Sequence, residues 1–359
     1  MSKVKLRNDA GHLHCFVTEL PCGVFHKQMP RAPEIMASTG LIICLLLFIP
    51  AIRTGAQEIE STSTYNNINS GKYLRICLDN DYFSGSDKQY TEGFSIEYWA
   101  PLLGRSPLAK LLYYPRLSNM DVKYGMEIEQ DSYTPDNMKF KVPLTNDRPY
   151  AATLLLKTFM VATDNHYGQR FASTFTAGVI GPAAMGRDIQ TGAHIIFDNL
   201  LPAGWGNQVH NDIVINYQLD YQKQVLSYGN LLSADVDIMG RAGTLSDKTC
   251  VGVTFMTGKF QSPFTNSIFR KRTLFYVYVH PEINFIGYDA TLEGGAFNKA
   301  SPYTLSSNEI ARRVFKNNAG IVIFYNNLYV EYFYCYQSRQ FLKGNDHAWN
   351  GIRISMALK

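Results

Sequence analysis

From residue 73 onward the chain alternates apolar and polar residues with a period of two, the signature of strands with two unlike faces. Leu74, Ile76 and Leu78 share one face of the first run, against Arg75, Cys77, Asp79 and Asp81. Phe94, Ile96 and Tyr98 repeat the pattern, as do Tyr124, Met126 and Ile128, set against Glu127 and Glu129. The clearest case opposes Ile213, Ile215, Tyr217, Leu219 and Tyr221 to Val214, Asn216, Gln218, Asp220 and Gln222. Such runs predict twelve strands, at 73–82, 89–99, 122–132, 148–162, 168–180, 212–224, 229–240, 248–259, 273–294, 308–325, 327–338 and 347–358.

A soluble sheet with one wet face and a transmembrane barrel both produce this alternation. Carboxylates recur in the middle of the polar faces, as at Asp235 and Asp237, and many runs approach the roughly 9 to 11 residues that cross a bilayer as tilted strands. The reading is therefore an all-β fold, a transmembrane antiparallel β-barrel of twelve strands. One break in the pattern stands out. The run 171–180 stops at Gly181-Pro182, which predicts a short helix carrying Gln190 and His194 four residues apart on one face, with Arg187 on the same stripe.

The first 56 residues concern address. Residues 41–52 (LIICLLLFIPAI) are too short to span a bilayer as a helix but suit the core of a secretory signal, and Thr54-Gly55-Ala56 offers small residues before a cut at Gln57. The expected division is an N-terminal extension and signal over 1–56 and one barrel domain over 57–359. Composition adds little more. A net charge of +4 gives no reason to expect nucleic acid, and 23 Tyr with 21 Phe suit aromatic girdles. Cys77, Cys250 and Cys335 are too far apart for a metal pattern and too few for complete pairing.

Six short motifs lie in register: Asn80-Asp81, Tyr90-Thr91-Glu92-Gly93, Gln130 with Tyr133-Thr134-Pro135, Asp147-Arg148-Pro149-Tyr150-Ala151, Gly181-Pro182 with Gln190 and His194, and Gly204-Trp205 with Gln208. Together they resemble the lipid A 3′-O-deacylase family of Gram-negative outer membranes. The resemblance implies a twelve-stranded outer-membrane barrel that depends on calcium and hydrolyses the 3′ ester of lipid A. It further implies His194 as base, with Asn80, Asp81, Thr91 and Gln190 as site partners, and places a cationic residue at Lys139 or Lys141 to meet substrate phosphate. Asp81 is the expected calcium ligand, by a parity that faces the lumen, whereas Asn80 has the opposite parity and needs a bulge or strand end to re-aim it. Two departures are visible: Leu200 stands where the family has an acidic residue after the histidine, and the chain ends Leu358-Lys359 rather than in an aromatic residue.

With the N-terminus in the periplasm, the connections after strands one, three and five gather the motifs on the extracellular rim, and the basic cluster Arg270–Arg272 falls on the other. A monomer acting on lipopolysaccharide is expected. The competing readings are a non-catalytic porin-like barrel and a phospholipase-like hydrolase, the latter needing a serine beside His194.

Overall fold

The computed structural model describes residues 60–80, 89–115, 120–143, 145–196, 198–265 and 273–358. The signal-like run, the cut at Gln57, Asp81 and Arg270–Arg272 lie outside them. Twelve strands follow in chain order: β1 (Tyr73–Asn80), β2 (Gln89–Trp99), β3 (Asp121–Thr134), β4 (Ala151–Asp164), β5 (Gln169–Ile180), β6 (Asp212–Tyr228), β7 (Leu232–Gly243), β8 (Ser246–Lys259), β9 (Leu274–Asp289), β10 (Arg313–Tyr325), β11 (Leu328–Gln337) and β12 (His347–Ala357). Each pairs antiparallel with the next, and β1 pairs with β12 to close the barrel. Closure gives every strand two partners, which leaves no unpaired backbone edge in an apolar medium.

All twelve expected strands are present. The two longest are shorter than their alternation suggested, because local capping ends them. At the end of β9 the Asp289 carboxylate accepts from the Thr291 amide and starts a one-turn helix, and before β10 the Glu309 carboxylate takes both the amide and the hydroxyl of Ser306.

Parity is kept around the wall. Leu78, Ile96, Ile128, Ile213, Val251 and Ile354 are exposed on the outer surface. Their neighbours point inward and pair: Arg75 with Glu97 at 3.3 Å, Lys157 with Glu129 at 2.7 Å, Arg353 with Glu331 at 2.6 Å and His280 with Asp237 at 3.0 Å. Cys77, Cys250 and Cys335 are buried free thiols.

The polar run before β1 has no periodicity and gave no expectation, yet it fills the lumen. Ser61 donates to Glu97 at 3.1 Å and Glu127 at 2.8 Å, and Thr64 donates to Asp235 at 2.9 Å. Arg75 donates to the Asn66 carbonyl at 2.5 Å, Tyr65 stacks on Tyr278 with centroids 4.3 Å apart, and Glu60 meets Lys316 at 3.0 Å. Burial of the Tyr65 phenol pushes its pKa well above the ordinary value.

The opposite end, which carries the β3–β4, β5–β6, β9–β10 and β11–β12 loops, is capped. Leu292, Leu305, Ile310 and Phe341 form a buried cluster there. Arg148 passes beneath it, its guanidinium 4.4 Å from the Tyr133 ring centroid and its Nη2 donating to Thr291 Oγ1 at 2.6 Å. Among the described residues, the interior cavities include ones of about 70 and about 20 Å³. In planar bilayers the chain is expected to pass no steady porin-scale current, and deletion of residues 60–69 should open one. Stable ohmic channels from the intact chain would contradict the plug.

Candidate active site

The last outward position of β1 is Asn80, two beyond Leu78. Its register partners are Asn350 on β12 and Glu92 on β2, and Glu92 in turn faces Ser132 on β3. All four hold outward parity in strands whose other outward residues are mostly apolar. They form one polar row across four strands, with side chains about 4.5–5.5 Å apart at Cβ. Gln130, one outward step below, donates to Ser132 Oγ at 2.9 Å. A β-bulge interrupts the β2–β3 register between Tyr90 and Glu92, so Thr91 is the extra residue beside the row.

Helix α1 (Gly186–Ile196) lies against this wall. The chain reaches it through Gly181, at φ 105° and too close to His210 and Asn211 for any Cβ, and a single turn at Pro182–Ala184. Gly186 then meets β3 and β4 directly: a Cβ there would stand 2.4 Å from the Ala152 Cβ and 3.0 Å from Ser132 Oγ. The buried stripe of the helix is Gly186, Gln190 and His194, at i, i+4 and i+8. Gln190 and His194 thus share a face as expected. Arg187 does not join them and is exposed.

Gln190 is wholly buried and its amide is committed: Oε1 accepts from Trp205 Nε1 at 2.7 Å, and Nε2 donates to Met138 Sδ at 3.4 Å. His194 Nδ1 lies 2.5 Å from the Leu200 carbonyl oxygen. A carbonyl can only accept, so Nδ1 carries the hydrogen and the basic lone pair sits on Nε2. Leu200 therefore contributes through its backbone what its side chain cannot.

The Asp147-Arg148-Pro149-Tyr150 motif holds the loop that frames the helix. The Asp147 carboxylate accepts from the amides of Asp136 at 3.0 Å and Arg148 at 2.7 Å, while burial raises its pKa above the ordinary value. Tyr150 packs on Trp205 with centroids 5.0 Å apart.

Between α1 and the wall lies a groove of about 660 Å³, lined by Asn80, Glu92 and Gln130 at its polar end and by Leu78, Phe94, Ile189, Tyr332, Ile352 and Ile354 elsewhere. The site is thus on the outside of the barrel. Strict alternation holds at Asn80, and no re-aiming is needed; the irregularity is at Thr91 instead. Asp81 lies outside the described residues, and for Thr91 only the backbone is described. His194 is on the same helix as Ile189 but is not a groove-lining residue. Lys139 and Lys141 are exposed on the β3–β4 loop next to Met138.

Glu92, Asn350 and Ser132 went unnoticed as site residues in the sequence, although each is a polar residue at an outward position. For a hard cation the fit is good: Asn80 and Glu92 present an amide oxygen and a carboxylate side by side, the donor class that calcium takes. A separate group, Glu60, His280 and Glu282, lies inside the lumen, where Lys316 contacts both carboxylates at 3.0 and 3.4 Å.

The family model described as outer membrane protein LpxR matches residues 41–358. No curated protein matches. Among solved structures, LpxR from Salmonella typhimurium is similar at 18% identity and TM-score 0.65, covering 80% of this chain and 100% of that one. The β domain of the Bordetella autotransporter BrkA (8% identity, TM-score 0.43, 81% and 100% covered) and the translocator domain of NalP from Neisseria meningitidis (9%, 0.42, 91% and 100%) are also similar. A closed twelve-stranded barrel, an apolar outer belt and a family match over most of the chain agree: this is an outer-membrane barrel that belongs to the LpxR family, the lipid A 3′-O-deacylases its motifs resemble.

Proposed function

We propose that this barrel hydrolyses the 3′-linked acyl ester of lipid A, with water as nucleophile and His194 as general base. One observation carries the reading: a polar row on the lipid-facing wall, bounded by an apolar groove and covered by the helix that holds His194. An amphiphile resting in the leaflet can lay its acyl chains along Leu78, Phe94, Ile352 and Ile354 while its sugar stays at the rim. We place the capped loop end outside the cell and the N-terminus in the periplasm, which sets Lys139 and Lys141 at the height of the lipid A phosphates.

In the reaction, His194 Nε2 takes a proton from water as the oxygen attacks the ester carbonyl carbon. The imidazolium returns that proton to the sugar oxygen as the tetrahedral intermediate collapses, releasing the fatty acid and a free 3′ hydroxyl. The Leu200 carbonyl holds the ring in the required tautomer. Gln190 acts through the fold, since its amide is spent on Trp205 and Met138 and it anchors the helix. Calcium would be held by Asn80 and Glu92, with Asp81 as a proposed third ligand because β1 ends at Asn80 and alternation no longer fixes the side of the next residue; the ion would polarise the ester carbonyl and steady the developing oxyanion.

The filled lumen speaks against a porin. A serine-nucleophile phospholipase has one candidate in the row, Ser132, but it is fully buried beneath Gly186 and bonded to Gln130, so no substrate reaches it.

His194→Ala is expected to insert, remain heat-modifiable on gels and lose about 10²- to 10⁴-fold in rate. Mass spectrometry of lipid A from expressing cells checks this; parental 3′-deacylation by that variant removes His194 from the chemistry. Trp205→Phe and Gln190→Ala should each lower activity less, and their double variant should lose far less than the sum, because both break one contact. Chelation should abolish activity and calcium restore it. Glu92→Gln should raise the calcium needed for half-activity and weaken terbium binding measured by luminescence; an unchanged terbium affinity would exclude Glu92 as a ligand.

A further inference from the structure

Inside the barrel, away from the outer wall, a cavity of about 70 Å³ lies under the cap. Arg148, Arg241 and Lys248 all line it. Arg241 and Lys248 are direct register partners on β7 and β8, both inward, so two cations stand opposite one another across a strand pair. Like charges so placed repel, and the repulsion grows as water is removed. Lys248 is 8% exposed and makes no hydrogen bond or ion pair among the described residues. Arg148 is 1% exposed; its described hydrogen-bond partners, Thr291 and Gln340, are neutral, and its Nε is buried without a partner. Arg241 gives both Nε, at 2.8 Å, and Nη2 to Gln218 Oε1 and Nη1 to Ser246 Oγ at 3.5 Å, which leaves the second N–H of each Nη to point elsewhere.

Two carboxylates share the lining with the three cations, so the positive groups outnumber the negative ones there, and each carboxylate accepts hydrogen bonds from neutral groups. Asp289 Oδ1 takes the amide and hydroxyl of Thr291 at 2.9 and 2.6 Å, and Asp131 takes the Thr153 hydroxyl at 3.3 Å. Asn284 lines the same cavity, and its Oδ1 is a buried acceptor without a donor. The space therefore offers converging N–H donors of positive charge together with one acceptor in need of an O–H.

We propose that this cavity is an anion site for hydrogen phosphate, bound by Lys248, Arg148 and Arg241 through its oxygens and by Asn284 Oδ1 through its own hydroxyl. Charge-assisted bonds to a tetrahedral oxyanion suit guanidinium groups in particular. A free ion fits a volume of about 70 Å³, which a phosphate attached to a lipid or sugar would exceed. Bound there, the ion links β7 and β8 to the β3–β4 loop and so ties the cap to the wall.

Equilibrium dialysis of the full-length barrel in detergent against labelled inorganic phosphate tests this. One ion per folded chain is expected, displaced weakly by sulfate, which has no hydrogen to give Asn284, and not by chloride. Lys248→Met should bind roughly 10- to 100-fold more weakly and Lys248→Arg close to the parent, with folding of each checked by heat-modifiable migration. Vesicles carrying a phosphomonoester lipid should not compete; competition would assign the site to a headgroup instead. Absence of saturable phosphate binding by the folded parent, or equal binding by folded Lys248→Met, would overturn the proposal. Equal affinity for sulfate would overturn the choice of hydrogen phosphate.

Discussion

Arg75 stands at the centre of the interior, fully buried, paired with Glu97 and donating to the Asn66 carbonyl of the plug. That one side chain joins wall to plug, and losing a partner from such a buried pair typically costs about 3–5 kcal/mol. Lys316 makes a second such link through Glu60, while Lys157 and Arg353 form buried pairs within the wall. A lumen occupied in this way has no room for an amphiphile. Chemistry on a lipid must then take place on the outer surface, and there the barrel breaks its own rule by giving outward positions to Asn350, Asn80, Glu92 and Ser132, the last of them buried beneath the helix.

Polar side chains on the lipid face carry a cost that falls near the interfaces. Here the row lies at the last turns of β1 and the first of β2, close to the rim, and α1 roofs part of it. The helix can sit so close only because Gly186 has no side chain. Its position is then fixed by contacts that do not touch the groove, Gln190 with Trp205 and Met138, and Trp205 with Tyr150. Scaffold and proposed site are separable in this LpxR-family chain: the motifs around Asp147, Gly204 and Trp205 hold the helix, while Asn80, Glu92 and Gln130 line the groove.

Strand-level structure was legible because a period of two survives any local irregularity, and all twelve runs were found in order. The helix was legible from Gly181-Pro182, and the face shared by Gln190 and His194 from their spacing, a face the structure shows to be the buried one. Which surface carries the site was not, since parity names two faces without saying which one substrate visits. Asn80 was expected to need turning inward, whereas registers across β12, β1, β2 and β3 show it in a row with three other polar residues. Those registers join positions 12, 40 and 270 residues apart, information that a single strand does not hold. The plug was equally hidden, because Ser61 to Asn69 lack periodicity and their hydrogen-bond partners are spread over β1, β2, β3, β6, β7, β8 and β9. Gln190 was legible as a partner of His194 on one helix face, but its bonds to Trp205 and Met138 were not.

The central claim is that lipid A is bound on the outer wall and never in the lumen. Site-specific photocrosslinking in outer membranes tests it most directly, with a photoreactive residue at Ile189 in the groove and, in a second variant, at Gln218 inside the barrel. The account predicts lipid A adducts from position 189 and none from 218. Adducts from 218, with none from 189, would contradict it.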